Sequence, residues 1–386
     1  MATYELFLCN DRGRRLMPLN NLQSFAAAKV VNATAPFRAT LRAPANLTTL
    51  QNYHYVERNI RPDWQVQVWR KVRGPLKLWN SYFILDWGWA QGEDGGEVFD
   101  FGGFDVNHLL TRRVVAAYEG ETQAGLSAVV ADDGMKTVVT NSMLDNALPV
   151  PTAGTRAWGD LGVGGNHGNG PAVTLDFAFD QLLTLSGGGV LPEIAAAADE
   201  AGTPVYFWIV PAVVSTSSAK FGFRTYTGQP GHDRTTGKGQ VIFDADLGTL
   251  TNWSYHRYYH DVANAMYGLH GDRALHQQAY RTVGWKRSYW GRCEGAVNAN
   301  DQETATGVLN VARAEARARR AYQQLRGDPV STPGQAFGRH YDVGDKVIAK
   351  AKGRSFDAIV WSGMVGLSED GQTTESVRLE ATDEQF

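Results

Sequence analysis

Apolar and polar positions alternate in short runs over the first hundred residues. Tyr4, Leu6 and Leu8 alternate with polar neighbours or with Phe7. Phe37, Ala39 and Leu41 alternate with Arg38, Thr40 and Arg42, bracketed by Pro36 and Pro44. Trp64, Val66 and Val68 alternate with Gln65, Gln67 and Trp69. A period of two is that of a half-buried strand. Asn10-Asp11-Arg12-Gly13 is a turn, and Gly74-Pro75 leads into a long aromatic strand over 76–89. Gly95-Gly96 precedes Val98-Phe99-Asp100-Phe101. Strands this short, with turns this regular, predict a β-sandwich or small barrel over 1–112.

The pattern changes over 113–220. Asp132 or Asp133 is placed to cap a helix carrying Met135, Val138, Val139, Ser142, Met143 and Ala147, stopped by Pro149 and Pro151. A glycine-rich loop comes next, at 159–170. Leu182, Leu183 and Leu185 predict a short helix ended by Gly187-Gly188-Gly189. Pro192 starts another helix through Ala198, with Gly202 past its end, and 205–210 reads as a buried strand. Helices mixed with strands predict an α/β insert.

Strands return at Phe221, Phe223 and Thr225, which alternate with Gly222, Arg224 and Tyr226. A polar loop over 228–239 carries His232, Asp233 and Arg234 at its centre. Val241-Ile242-Phe243 begins a strand that ends in the turn Asp244-Ala245-Asp246-Leu247-Gly248. The longest helix is expected over 304–325, with Val308, Val311, Ala318, Tyr322 and Leu325 on one face. A small β-domain closes the chain, with strands near 347, 358–361 and 376–379. The expected fold is α+β: two β-barrel- or sandwich-like domains flanking an α/β insert, divided as 1–112, 113–220 and 221–386.

Composition narrows the function. A chain of 386 residues exceeds one comfortable core, so two or three domains are expected. The net charge of -3 gives no general field to recruit nucleic acid. High glycine and aromatic content suits many turns and strands. Cys9 and Cys293 read as free thiols, since a disulfide-stapled domain would carry more pairs. No basic stretch leads into an apolar one at the start, and no apolar run approaches the ~20 residues of a membrane span. Synthesis and folding in the cytoplasm are expected.

Candidate chemistry is sparse. His256 and His260 are spaced as on a zinc-binding helix, but Arg257 stands where a catalytic site needs Glu. The loop GDLGVGGNHGNG has His167 where a dinucleotide loop needs its third glycine, and no Gly-Lys-Ser/Thr. A mobile linker or interface loop is the better reading. Asp233-Arg234 is read as a loop salt bridge and Cys293, beside Glu294, as a buried thiol. The arginines of the long helix are interrupted by Glu315, so a solvated face or subunit contact is expected rather than DNA. Trp79, Trp87 and Trp89 could line a sugar groove, with Asp132-Asp133 or Asp244-Asp246 as paired acids. This keeps a carbohydrate-active hydrolase or a sugar-binding module as the alternative. Neighbouring acids are more often caps and turns, so no catalytic, cofactor-binding or metal-binding residue is assigned.

The order of several motifs carries a resemblance. Gly102-Gly103-Phe104-Asp105 runs into Leu109-Leu110 and Arg113. An Asp-Arg loop, a Val-Ile-Phe strand and Asn264-Ala265 come after it. Then come Gly291-Arg292-Cys293-Glu294, Asn298-Ala299-Asn300-Asp301 and the turn Gly344-Asp345-Lys346-Val347. Together they resemble the tail-tip hub proteins of long-tailed phages, relatives of the contractile-tail baseplate hub. Gly295-Ala296 departs from the second acidic-aromatic pair of that family. The resemblance implies a structural virion protein rather than an enzyme, assembled in the host cytoplasm. It implies a homotrimer whose paired β-domains give a quasi-sixfold ring joining a sixfold tube to a threefold tip. Implied partners are the distal tail ring protein, tail fibres or spikes and the tape-measure protein. The chain stops soon after the last β-domain, which leaves host binding to other subunits.

Overall fold

The alternation in the first third is realised as strand. The computed structural model describes residues 3–383 except 12, 44–52, 57, 73, 92–95, 116–123, 145–156, 178–179, 212–220, 259–261, 281–292, 301, 303 and 320–321. The first part contains β1 (Thr3–Cys9), β2 (Arg15–Pro18), β3 (Leu22–Val30), β4 (Pro36–Arg42), β5 (Gln65–Lys71), β6 (Lys77–Gln91), β7 (Glu97–Asp105) and the single turn α1 (His108–Thr111). The middle contains β8 (Ala124–Val130), α2 (Ala131–Met143), β9 (Leu161–Val163), β10 (Ala172–Phe177), α3 (Val190–Glu200) and β11 (Val205–Pro211). The last part begins with β12 (Phe221–Thr227), β13 (Ile242–Asp244), β14 (Leu250–Tyr258), β15 (Ala265–Leu269), β16 (Gln277–Tyr280) and β17 (Glu294–Asn298). It ends with α4 (Ala305–Ala318), β18 (Tyr322–Pro329), β19 (Lys346–Ala351), β20 (Arg354–Leu367) and β21 (Thr373–Asp383). The architecture is mostly β with separate helices, an α+β fold.

A 13-stranded sheet dominates, in the order β14-β18-β21-β20-β3-β4-β7-β6-β5-β1-β2. β19 lies antiparallel to β20, and β13 parallel to β19. The two ends of the chain meet in the middle of this sheet. β3 pairs with β20 from Val30↔Ser362 to Phe25↔Leu367. The core is correspondingly shared: Leu8, Phe37, Val66 and Phe101 belong to one cluster with Phe243, Val347, Val360 and Leu379. The sheet also folds over on itself. β1 and β5 lie far from β21 in ladder order, yet Arg70 of β5 is 2.9 Å from Glu375 of β21, and Tyr4 Oη donates to Glu375 at 2.5 Å.

Three small sheets complete the fold: β10-β8, β11-β12-β9 and β16-β15-β17. The insert has a core of Met135, Val139, Leu182, Ile194 and Phe207, which also takes in Phe83, Val106 and Leu110 from the first third and Phe223 from β12. α4 packs on β15 and β16 through Ala312 and Ala316, with Val308 also fully buried. The approach is so close that a Cβ on Gly268 would lie 2.7 Å from Val308 Cγ1 and 2.8 Å from its carbonyl oxygen.

Several expectations need correction. The helix expected over 304–325 ends at Ala318, and Tyr322–Pro329 is β18, bonded on one side to β14 and on the other to β21. β18 is paired along both edges, and Gln323, Gln324 and Leu325 are buried in succession, so both faces are covered there and no period-two signal marks them. Leu182-Leu183 forms no helix: the pair is buried on an irregular segment, and Thr184–Gly188 closes as a turn with Leu185 exposed. Asp132 and Asp133 sit in the first turn of α2 rather than capping it; Val130 occupies the cap position without a side-chain hydrogen bond. Ala147, Pro149 and Pro151 lie outside the described residues.

Candidate assembly site

The Gly-Asp turn before β19 ties two loops together. Asp345 is 4% exposed. Its Oδ1 accepts from His232 N at 2.7 Å and its Oδ2 from Asp342 N at 3.0 Å, while Arg234 Nε lies 3.5 Å from Oδ2. Gly344 holds a φ of +95°, and a Cβ on Gly231 would come within 2.4 Å of Asp345 Oδ1, so both glycines are required by the contact. The salt bridge expected between Asp233 and Arg234 is not made. Adjacent residues of an extended segment point to opposite sides. Asp233 turns back to accept from Thr235 N at 2.8 Å and Oγ1 at 2.6 Å, and these bonds hold its carboxyl below the usual range.

The Gly-x-Asp segment at the end of β7 serves as a junction. Asp105 Oδ1 accepts from Ala35 N at 3.1 Å. Burial pushes its pKa up to about 8, against the pull of that bond. Asn107 Nδ2 donates to Ala33 O at 2.8 Å, and its Oδ1 accepts from Ile209 N at 2.7 Å. Asn32 Oδ1 accepts from Phe207 N at 2.8 Å. Two asparagines of the first third therefore hang β11 of the insert onto the large sheet. Sequence reasoning missed Asn32; its left-handed backbone, φ 56°, is the kind of position asparagine tolerates, but nothing in a single sequence marks it. A cavity of about 170 Å³ at this junction is lined by Lys29, Asn80, Asp105, Asn107 and Trp208 among others. Asp105 is the carboxyl group in its lining, and glycoside hydrolysis uses two.

The glycine-rich loop is clamped by α2. Asp133 Oδ1 accepts from His167 N at 2.9 Å and Oδ2 from Gly168 N at 3.1 Å. Lys136 donates to Gly165 O at 3.0 Å and lies 3.3 Å from Asp132 Oδ2 in a pair that is almost wholly buried. The backbone N–H groups that a phosphate would use are already taken by a carboxylate. Both aspartates of the candidate acid pair are committed to this network. The reading of 159–170 as a linker is also revised in part, because Leu161–Val163 is a strand parallel to β12.

The remaining candidates separate in space. His256 lies on the strand β14, opposite Gln324, and stacks near Tyr258; His260 is outside the described residues. Among the described residues, no group of three or more His, Cys, Asp or Glu side chains is placed to hold a metal. Cys293 N donates to Asn264 Oδ1 at 2.8 Å, which joins the Asn-Ala segment to the start of β17. It is half-buried and free, while Cys9 is a fully buried free thiol. Asn300 Oδ1 accepts from Gly271 N at 2.6 Å, which ties the Asn-Ala-x-Asp run to the segment after β15; Asp301 lies outside the described residues. Asp244 Oδ1 accepts from Asp246 N at 2.9 Å, as turn chemistry requires. Trp79 is buried and Trp89 is 53% exposed against Phe99, so these two do not share a wall; Trp87, half-buried, lies on the same face of β6 as Trp89. Just past the end of α4, Arg319 pairs back to Glu315 at 2.6 Å.

What the fold offers instead is edges. β2 pairs only with β1, and β14 only with β18, which leaves one side of each without a ladder partner among the described residues. β14 carries a bulge between Thr251 and Ser254, with Asn252 at φ 45°, a feature that twists an edge. Exposed apolar side chains stand near both: Leu16 on β2, and Leu247 and Val330 beside the start of β14, Leu247 being 77% exposed. Unpaired strand edges are templates for another chain.

Known proteins place this architecture. The chain is similar in structure to the 43 kDa tail protein of prophage MuSo2 from Shewanella oneidensis, with a TM-score of 0.54, 9% identity and 98% of each chain covered. It is similar to a tail protein from Neisseria meningitidis MC58, with a TM-score of 0.52, 10% identity, and 98% of this chain and 96% of that one covered. A Francisella PdpA–VgrG complex in its lidded form matches with a TM-score of 0.50 and 9% identity, over 99% of this chain and 52% of the other. At such identities these likenesses show the fold alone. No curated protein matches the sequence. The model of one family, described as Siphovirus ReqiPepy6 Gp37-like protein, matches residues 8–379. A match that runs through both ends of the large sheet and the whole insert leaves little outside it, and the chain belongs to that family of siphovirus Gp37-like proteins.

Proposed function

We propose that this protein is the hub at the distal end of a siphovirus tail. Three copies close around the tail axis and join the sixfold tube to a threefold tip. They contact the distal tail ring and tape-measure proteins and anchor fibres or spikes for host attachment and DNA delivery. The observation that carries this reading is the join between β3 and β20. It makes the strands of 3–105 and of 242–383 into one body, so each copy offers two linked sets of strands and three copies offer six. The dissimilar edges β2 and β14 support it further, because a contact between unlike edges is heterologous and can close into a ring. The regions 1–112, 113–220 and 221–386 then serve as two β modules and the insert between them. The role needs interfaces and no catalytic, cofactor or metal-binding residue.

Light scattering on the purified chain, with negative-stain electron microscopy, tests this. The expected particle has three times the 42.3 kDa chain mass and threefold symmetry around an axial opening. A stable monomer at micromolar concentration, or a ring of another number, refutes it.

A further inference from the structure

The clamped glycine loop contains a second feature that the hub role does not use. Asn166 and Asn169 both lie on its exposed part. They differ in the residue on their C-terminal side. After Asn166 comes His167, whose N–H is engaged by Asp133 Oδ1 at 2.9 Å. After Asn169 comes Gly170, exposed, with φ +99° and no side chain. Among the described residues the Gly170 N–H donates to no group. The position favours glycine, because its φ is left-handed and a Cβ there would lie 3.2 Å from Val205 Cγ2.

We propose that Asn169 is a self-modifying site that converts to aspartate and isoaspartate in the folded protein, while Asn166 in the same loop does not. The Gly170 backbone nitrogen attacks Asn169 Cγ. The N–Cγ bond forms, the Cγ–Nδ2 bond breaks, and ammonia leaves with the proton that the nitrogen gives up. Water then opens the five-membered imide at either carbonyl, giving Asp or, with the main chain passing through the side chain, isoAsp. No oxidant or further reactant is required. Attack demands an unencumbered nitrogen and an adaptable backbone, which glycine supplies and a hydrogen-bonded histidine does not.

The consequence is local and charged. A new carboxylate appears one residue from Gly168, whose N–H is held by Asp133 Oδ2 at 3.1 Å. The isoAsp form also lengthens the main chain just before Pro171, whose carbonyl accepts from Ala131 N at 2.9 Å at the start of α2. Conversion therefore loosens the loop from the helix that holds it.

The test is peptide mass mapping of the full-length protein after incubation at mildly alkaline pH, with acceptance of a methyl group at isoaspartate as a second readout. The peptide holding Asn169 is expected to gain about one mass unit and split into two isomers, with fragment ions assigning the change to 169 and not 166. Asn169→Gln leaves the backbone untouched and is expected to abolish the gain. A urea-unfolded sample provides the reference. Conversion in the unfolded chain with none in the native protein overturns the proposal, as does equal conversion at Asn166.

Discussion

The contact that folds the large sheet over on itself gives the sharpest test of its energetics. Arg70 is 4% exposed at its side chain, and Glu375, 2.9 Å away, is 21% exposed. The guanidinium also donates to Phe337 O and lies over the Phe337 ring at 4.3 Å from its centroid. Its Nε and Nη1 are buried without a partner. The two charges are thus unequally placed: the cation is sealed in, and the anion keeps contact with water. Glu375→Gln leaves an uncompensated buried charge and is expected to cost about 3–5 kcal/mol. Arg70→Met leaves a carboxylate that water and Tyr4 can still serve, and is expected to cost about 1–3 kcal/mol. Arg70→Met combined with Glu375→Gln removes both charges and is expected to be more stable than Glu375→Gln alone, since replacing a buried pair by uncharged groups is often nearly neutral. Urea unfolding monitored by tryptophan fluorescence reads all three midpoints. If Glu375→Gln is no more destabilising than Arg70→Met, or if the double change is worse than either, the buried cation is not what governs this seam.

Three further outcomes are expected. Asp105 holds its proton in the folded protein up to about pH 8, against 3.8 for an ordinary aspartate carboxyl, so the native state binds the proton more tightly. Stability should therefore fall as pH rises from about 4 to about 8, and Asp105→Asn should flatten that slope in thermal melts. Gly268→Ala places a methyl against Val308 and is expected to cost about 1–3 kcal/mol, with urea midpoints as the measure; Gly88→Ala, whose added methyl meets nothing within 4 Å, serves as the control. Burial pushes the Cys9 thiol up to about 12, so native protein at pH 8 should leave Cys9 unlabelled by an alkylating reagent until urea exposes it, as peptide mapping would show.

Much of the β architecture could be read from the chain because a half-buried strand writes its face into the sequence. β1 and β4 follow the alternation that marks them, whereas β5 is buried on both faces despite its alternating sequence, and the glycine at 202 does end α3, adopting φ +94° just past it. Of the motif residues, Asp105 and Asp345 both prove to be buried acceptors of backbone N–H groups. The sequence marked Asp345 as part of a turn and Asp105 as part of a Gly-x-Asp segment, but not which loop either carboxylate would reach. Arg234 is the clearer case. Its neighbour in sequence is Asp233, its partner in space is Asp345, and only the return of β19 beside the 228–239 loop supplies that partner.

Local pattern therefore determined the elements whose environment is one-sided, together with the turns, the lack of a helix long and apolar enough to cross a membrane among the described residues, and the order of motifs that carries the family. Tertiary structure alone decided the pairing of β3 with β20, the sealing of Arg70 against Glu375, and the change from helix to strand at Tyr322. The physical reason is common to all three. A strand flanked on both sides, or a charge whose counterpart lies three hundred residues away, is fixed by neighbours that do not adjoin it in sequence. Local periodicity records only whether a residue is buried, not which distant backbone satisfies its hydrogen bonds.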